Sequence, residues 1–313
     1  MTAGKNSNEG NLQTNPPRIG FALNTKERIE FTRCILPGLD CGGFDLIWCD
    51  GSKTLEGRAL ACHEHFKKTS LVEIHHDVTG GPDAAIQFSL KRLLALGYDY
   101  VGLIENDVQL SPGWLPALIA AWKAAEQDGF KVGAATARSI NSRVLAVSPD
   151  YLVKWCIGAG MVLFSRSAAE AVLRDYATTT AKEIHSIFQK TLGVDLSGAW
   201  ELFMGKPDRG LGADWRYMAS ILKRGMVGVG TIPSYGKNID LDMIEIFRTD
   251  YVRSVEDKLP AHCLTMEQLK FALAKMPEST LKNLLKIDRF ISFFNKRVLN
   301  NRSAKFLKPD VRG

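Results

Sequence analysis

Between residues 18 and 236 the chain alternates short, nearly uncharged apolar runs with longer stretches whose apolar residues recur every three or four positions. The first run, 18–24, has one charge at its start and is otherwise apolar or small up to Asn24, as a strand buried on both faces of a parallel sheet would be. Residues 26–36 predict a helix closed by Pro37-Gly38. A second strand over 44–49 runs into the polar turn Asp50-Gly51-Ser52, and a helical or irregular stretch to residue 68 leads to a third strand over 70–75. Gly80-Gly81-Pro82 breaks the chain and places a proline where a first helical turn accepts one. Ile86, Leu90, Leu93 and Leu94 then share one helix face, Gly97 ends it, and a strand over 98–104 delivers Glu105-Asn106-Asp107.

Beyond that cluster the spacing predicts a helix over 112–126, strands over 132–137 and 157–164, helices over 167–176 and 214–224, a strand over 226–232 and a loop at 233–236. Two more helices are expected at 265–276 and 279–299. Strands alternating with helices predict an α/β fold with a mostly parallel sheet, and right-handed crossovers make it doubly wound and Rossmann-like. Such sheets bind ligands beyond the carboxyl ends of their strands, where Asp50 and the 105–107 cluster both stand. The expected organisation is a flexible lead at 1–17, one α/β domain at 18–240 and a helical extension at 241–313.

Composition narrows this little. The 45% apolar and 24% charged fractions are those of an ordinary folded chain and exclude disorder as its main state. The first seventeen residues are polar and do not read as a secretory signal, and no apolar run nears the roughly 18–20 residues that a membrane span needs. Six cysteines are scattered without a C-x-x-C pair, so neither a zinc site nor a redox dithiol is indicated, and reduced thiols in the cytoplasm are expected. The net charge of +6 is concentrated at the end: residues 282–313 hold nine Lys and Arg against Asp288 and Asp310. Phe290, Phe293 and Phe294 interleave with these cations. The stretch reads as a solvated helical face, a peripheral membrane contact or a nucleic-acid contact.

Glu105 and Asp107 put two carboxylates, one residue apart, at the end of an apolar strand. Hard cations such as Mg²⁺ and Mn²⁺ take oxygen ligands and bridge one or two carboxylates to substrate phosphates. A solvated strand end also carries such residues, so the pair alone does not decide. Asp214 heads a helix, where an acid stabilises the first turn whether or not it has another task. Asp50 suits a turn for its own local hydrogen bonding. Adjacent His75 and His76 on a strand point to opposite faces and are not expected to share one ion.

Several blocks, in order, carry a resemblance. Tyr98 to Leu115, an apolar strand entering Glu105-Asn106-Asp107 and then Pro112-Gly113-Trp114-Leu115, resembles the metal-binding region of family-2-type GT-A glycosyltransferases. Ala22-Leu23-Asn24-Thr25-Lys26-Glu27-Arg28 is similar to their opening strand and turn, and Asp50-Gly51-Ser52 to their nucleoside turn. The segment from Gly80 to Gly97 and that from Gly212-Ala213-Asp214 to Gly225 are similar to two later blocks. The resemblance covers roughly residues 18–236 and implies a GT-A fold and a nucleotide-sugar donor, UDP-linked. It further implies Mn²⁺ or Mg²⁺ at Asp107 with Glu105 in support, donor contacts at Asn24, Asp50 and Asn106, and Asp214 as base toward an acceptor hydroxyl on a glycan, lipid-linked or other acceptor.

The chain departs from the pattern at Glu105, where aspartate is commoner, at Ala213, where glutamate usually precedes the base, and at Ser220, where arginine is frequent. The Q-x-x-R-W motif of processive synthases is absent, so a non-processive transfer is expected. A sugar-phosphate nucleotidylyltransferase would place a glycine-rich loop after the first strand, and residues 23–28 have no glycine. Two other readings stay open: a non-catalytic nucleic-acid- or membrane-binding module on a degenerate fold, and a transferase whose acceptor is DNA.

Overall fold

A computed structural model describes residues 16–139, 144–154, 156–158, 160–176, 183, 186 and 213–239. The expected lead up to residue 15, the helices at 265–276 and 279–299 and the basic stretch 282–313 lie outside the described residues. Apolar runs form β1 (Ile19–Thr25), β2 (Asp45–Asp50), β3 (Ser70–His75), β4 (Tyr100–Glu105), β6 (Val132–Thr136), β9 (Met161–Ser165) and β10 (Val227–Thr231). Periodic stretches form α1 (Ile29–Leu39), α2 (Leu55–Leu60), α3 (Gly81–Ala95), α4 (Trp114–Gln127), α5 (Arg166–Tyr176) and α6 (Ala213–Leu222).

These strands, with β7 (Val144–Val147) and β8 (Tyr151–Lys154), make one nine-stranded sheet in the order β3-β2-β1-β4-β9-β6-β10-β8-β7. β3, β2, β1 and β4 are mutually parallel, as are β6 and β10, whereas β9 runs antiparallel to both β4 and β6. The expectation of a mostly parallel, doubly wound α/β sheet holds. Phe21, Ala22 and Leu23 on consecutive positions of β1 are all fully buried, so both sheet faces are covered, as a parallel sheet requires. α1 and α4 pack together around Trp114, whose ring meets Phe21 and Phe44 edge-on at 5.4 and 5.6 Å and whose Nε1 donates to the Gly38 carbonyl at 3.0 Å. α3, α5 and α6 form the second helical group.

Four local expectations shift. The helix expected from residue 26 begins at Ile29, because Glu27 and Arg28 both take φ of 52°, outside the right-handed helical region. It also continues through Pro37 to Leu39. The strand expected at 157–164 forms only over Met161–Ser165, between β4 and β6 in the sheet. The loop expected at 233–236 leads into β11 (Gly236–Asn238), which pairs antiparallel with β5 (Val108–Leu110) to make a two-stranded ribbon directly after the 105–107 cluster.

Candidate active site

Successive connections from β1 lead to β2 on one side, while β4 lies on the other, so the strand order reverses between β1 and β4. That is the position where open parallel sheets leave a crevice for ligands. Register places Asn24, near the end of β1, between Cys49 of β2 and Glu105, the last residue of β4. The Asn24 amide oxygen accepts a hydrogen bond from Ser89 Oγ of α3 at 2.7 Å, which fixes its orientation.

Glu105 and Asp107 converge on Gly160, the residue just before β9. The Glu105 amide donates to the Gly160 carbonyl at 2.8 Å. A Cβ built on Gly160 would stand 3.9 Å from both Glu105 Oε2 and Asp107 Oδ1, and only 2.6 Å from Val108 Cγ2. The two carboxylates therefore border one small cradle that stays open because residue 160 has no side chain. Burial pushes the Glu105 carboxyl up to about 7, and the nearby charges of Asp107 and then Asp214 add to the shift, while Arg138 and Arg28 oppose it. This places Asp214, more than a hundred residues on in sequence, within electrostatic reach of the cluster. Asp214 opens α6, where its Oδ1 accepts from the Trp215 amide at 3.0 Å and its Oδ2 faces the Cys156 thiol at 3.8 Å.

The loop after β1 is tied to the cluster by Asn106. Its buried amide donates to the Glu27 carbonyl at 3.3 Å and to Thr32 Oγ1 at 3.2 Å, so its NH₂ group holds two loops together. Glu27 in turn accepts from the Lys53 amide at 2.7 Å and from Thr54 Oγ1 at 2.7 Å, joining the turn after β2. These bonds keep its carboxyl below the usual carboxylate range. Arg28 reaches Asp107 Oδ2 at 3.6 Å across this junction.

Asp50 is fully buried. Its Oδ1 accepts from Thr25 Oγ1 at 2.9 Å, from the Ser52 amide at 3.1 Å and from Ser52 Oγ at 2.7 Å, and its Oδ2 lies 3.5 Å from His76 Nδ1. The carboxylate thus gathers the ends of β1, β2 and β3 from beneath. His75 pairs instead with Glu73 at 2.7 Å, on a separate cluster with Arg92, so the two histidines do part. Among the described residues no three His, Cys, Asp or Glu side chains group as a metal site of their own.

No family model and no curated protein matches the chain. Many solved structures do match in fold. One is a mannosyltransferase from Pyrobaculum calidifontis solved with GDP-Man and Mn²⁺: 14% identity, 92% of this chain and 73% of that one covered, TM-score 0.50. Another is residues 1–349 of S. aureus TarS, at 12% identity over 90% of this chain and 72% of that one, with a TM-score of 0.46. The chain has the GT-A fold. In it the antiparallel β9 starts beside Glu105, the last residue of β4, with Gly160 as its entry.

Sequence reasoning brought out Asn24, Asp50, Glu105, Asn106, Asp107 and Asp214, and the structure ranges all six along the carboxyl edge of the sheet or at the helix facing it. It missed Arg28 and Arg138 as cations near the carboxylates, and Gly160. Arg28 lies in the block similar to the family's opening turn, within the stretch whose composition predicts a helix. Gly160 had a signal, a glycine at the start of an otherwise apolar run, which only the close approach of two other segments turns into a requirement.

Proposed function

We propose that this protein is a metal-dependent, non-processive glycosyltransferase. It moves a sugar from a nucleotide diphosphate sugar, UDP-linked, to an acceptor hydroxyl with inversion. The observation that carries this reading is the pair Glu105 and Asp107 bordering the Gly160 cradle beside the crevice between β1 and β4, with Asp214 within electrostatic reach. Two carboxylates side by side in a partly desolvated cleft repel one another, and a fold retains such an arrangement when a ligand relieves it.

The donor set fits Mn²⁺ or Mg²⁺. Glu105 and Asp107 offer hard oxygen atoms around a cradle that a single Cβ would fill. Two protein ligands leave the rest of the coordination to diphosphate and water, the usual arrangement where such ions meet nucleotides. When bound, the ion supplies positive charge that stabilises a departing diphosphate. The mannosyltransferase of the same fold was solved with GDP-Man and Mn²⁺, so guanosine donors belong in the test beside uridine donors.

The chain's own residues divide the remaining work. Asp50 carries the turn on which the nucleoside lies by fixing Thr25, Ser52 and His76. Asn24 and Asn106 line and brace the crevice between that turn and the carboxylates. Asp214 takes the proton of the acceptor hydroxyl as it attacks the anomeric carbon. Its position at the first turn of α6, with Oδ1 accepting from the Trp215 amide, orients the carboxylate for that task.

A thermal-shift screen of UDP- and GDP-sugars with and without Mn²⁺ tests the proposal. A ligand at a hundred times its Kd adds about 2.7 kcal/mol to apparent stability. A uridine donor with Mn²⁺ is expected to raise the Tm and Asp107→Ala to abolish the rise; an equal rise in Asp107→Ala removes the cation from the account.

A further inference from the structure

Arg28 is not explained by the chemistry above, and the backbone around it is costly. Glu27 and Arg28 are consecutive non-glycine residues in the left-handed region, each with φ of 52°. Such positions persist only where the surroundings over-determine them, and they cluster at ligand sites. Here the surroundings are visible. The Glu27 amide donates to Ser52 Oγ at 2.9 Å, its carboxylate accepts from Lys53 and Thr54, and its carbonyl accepts from Asn106, the residue between the two metal-facing carboxylates. The loop is thus bolted both to the turn after β2 and to the end of β4.

The consequence of that bolting is the placement of one guanidinium. Arg28 lies with its Cζ 5.4 Å from the Phe31 ring centroid, and its Nη1 stands 3.6 Å from Asp107 Oδ2. That separation gives charge compensation but exceeds hydrogen-bond length. The Arg28 side chain is about half exposed (47%), whereas Asp107 is largely covered (14%), so the guanidinium reaches solvent beside the covered carboxylate. A planar fork of donors in that position matches a diphosphate, which arginine binds in bidentate fashion.

We propose that Arg28 binds the diphosphate of the donor, and that its pairing with Asp107 is the parked position of the same group. In the ligand-free protein it offsets part of the charge of the acidic cluster. When a donor enters, the guanidinium turns from Asp107 to the phosphate oxygens, leaving Asp107 to the cation. This inference rests on the glycosyltransferase reading and adds to it a residue and a sequence of contacts.

The test is calorimetric titration of the full chain with UDP, GDP and UMP in Mn²⁺, for wild type, Arg28→Gln and Arg28→Lys, together with Mn²⁺ titration without nucleotide. Arg28→Gln is expected to weaken diphosphate binding at least about tenfold, the loss of one charge-assisted contact, with a smaller change for UMP. Arg28→Lys is expected to fall between, since it keeps the charge and loses the fork. Mn²⁺ alone is expected to bind Arg28→Gln at least about twofold more tightly, because the parked cation is gone. Unchanged UDP affinity, or an equal loss for UDP and UMP, overturns the diphosphate role, and unchanged or weaker Mn²⁺ binding overturns the parked position. Should Arg28→Gln fail to fold, Arg28→Lys alone decides by the same comparison. If wild type binds neither UDP nor GDP, the transferase reading itself has failed and this inference falls with it.

Discussion

Replacing Glu105 by glutamine should make the metal-free protein more stable while disabling it. In the folded chain the Glu105 carboxyl is pushed up to about 7 from an ordinary 4.5, first by burial and then by Asp107 and Asp214. The sign follows from linkage. Between these two values the unfolded chain has released its proton and the folded chain keeps it, so stability falls as pH rises through the window and the full penalty stands above about pH 7. A shift of that size corresponds to about 3 kcal/mol, and because some solvent reaches the side chain about 2 kcal/mol is the better expectation. Glutamine keeps the shape and removes the charge. In EDTA at pH 8 the variant should therefore melt about 4–8 °C higher than wild type, using about 2–4 °C per kcal/mol for a domain of this size. Near pH 5 the two should converge. Thermal denaturation followed by circular dichroism across pH 5–8 measures this directly, and adding Mn²⁺ should raise the wild-type Tm more than that of the variant. A variant that melts lower than wild type at pH 8, or whose difference from wild type is the same at pH 5, would show that the acidic cluster carries no stored repulsion.

Three further outcomes follow from the same geometry. Asp214→Asn should lower kcat for sugar transfer by about 10²–10⁴-fold while leaving the Kd for UDP within about twofold, since a base acts on the acceptor and not on the donor; steady-state kinetics beside calorimetry separates the two. Asn106→Ala should cost about 1–3 kcal/mol in urea denaturation by leaving the Glu27 carbonyl and Thr32 Oγ1 without their shared donor, and should weaken UDP binding by loosening the Glu27–Arg28 loop. Glu73, held down to about 2 by Arg92 and His75, contributes stability above about pH 4.5 that is lost as pH falls toward 2. Glu73→Gln should therefore lower the Tm at pH 7 by more than at pH 2.5, the exposed setting limiting the effect to about 1 kcal/mol.

The parallel half of the sheet was legible because its strands are short, mostly apolar with one charge each, and separated by helices of ordinary period, so that 18–24, 44–49, 70–75 and 98–104 read as strands. The carboxylates at 105 and 107 were legible for the same reason: the end of a central strand is where such a sheet presents its ligand groups. What escaped was set by tertiary contact. β9 announces itself as apolar, but nothing local says that it runs against its neighbours. β5 and β11 are three residues each, stabilised by pairing across more than a hundred positions, and carry no periodicity to read. Residues 26–28 look helical in composition, and the hydrogen bonds that Glu27 donates to Ser52 and accepts from Lys53, Thr54 and Asn106 hold Glu27 and Arg28 in left-handed geometry. Asp50 illustrates the converse, a residue whose position was expected but whose burial beneath the turn was not.

The most direct measurement is anomalous diffraction at the manganese edge from crystals grown with Mn²⁺ and UDP. The account predicts one strong peak in the cradle beside Gly160, at the Glu105 and Asp107 carboxylates and beside the diphosphate of the nucleotide. A well-ordered UDP with no peak there, or with its manganese bound away from Glu105 and Asp107, would contradict it.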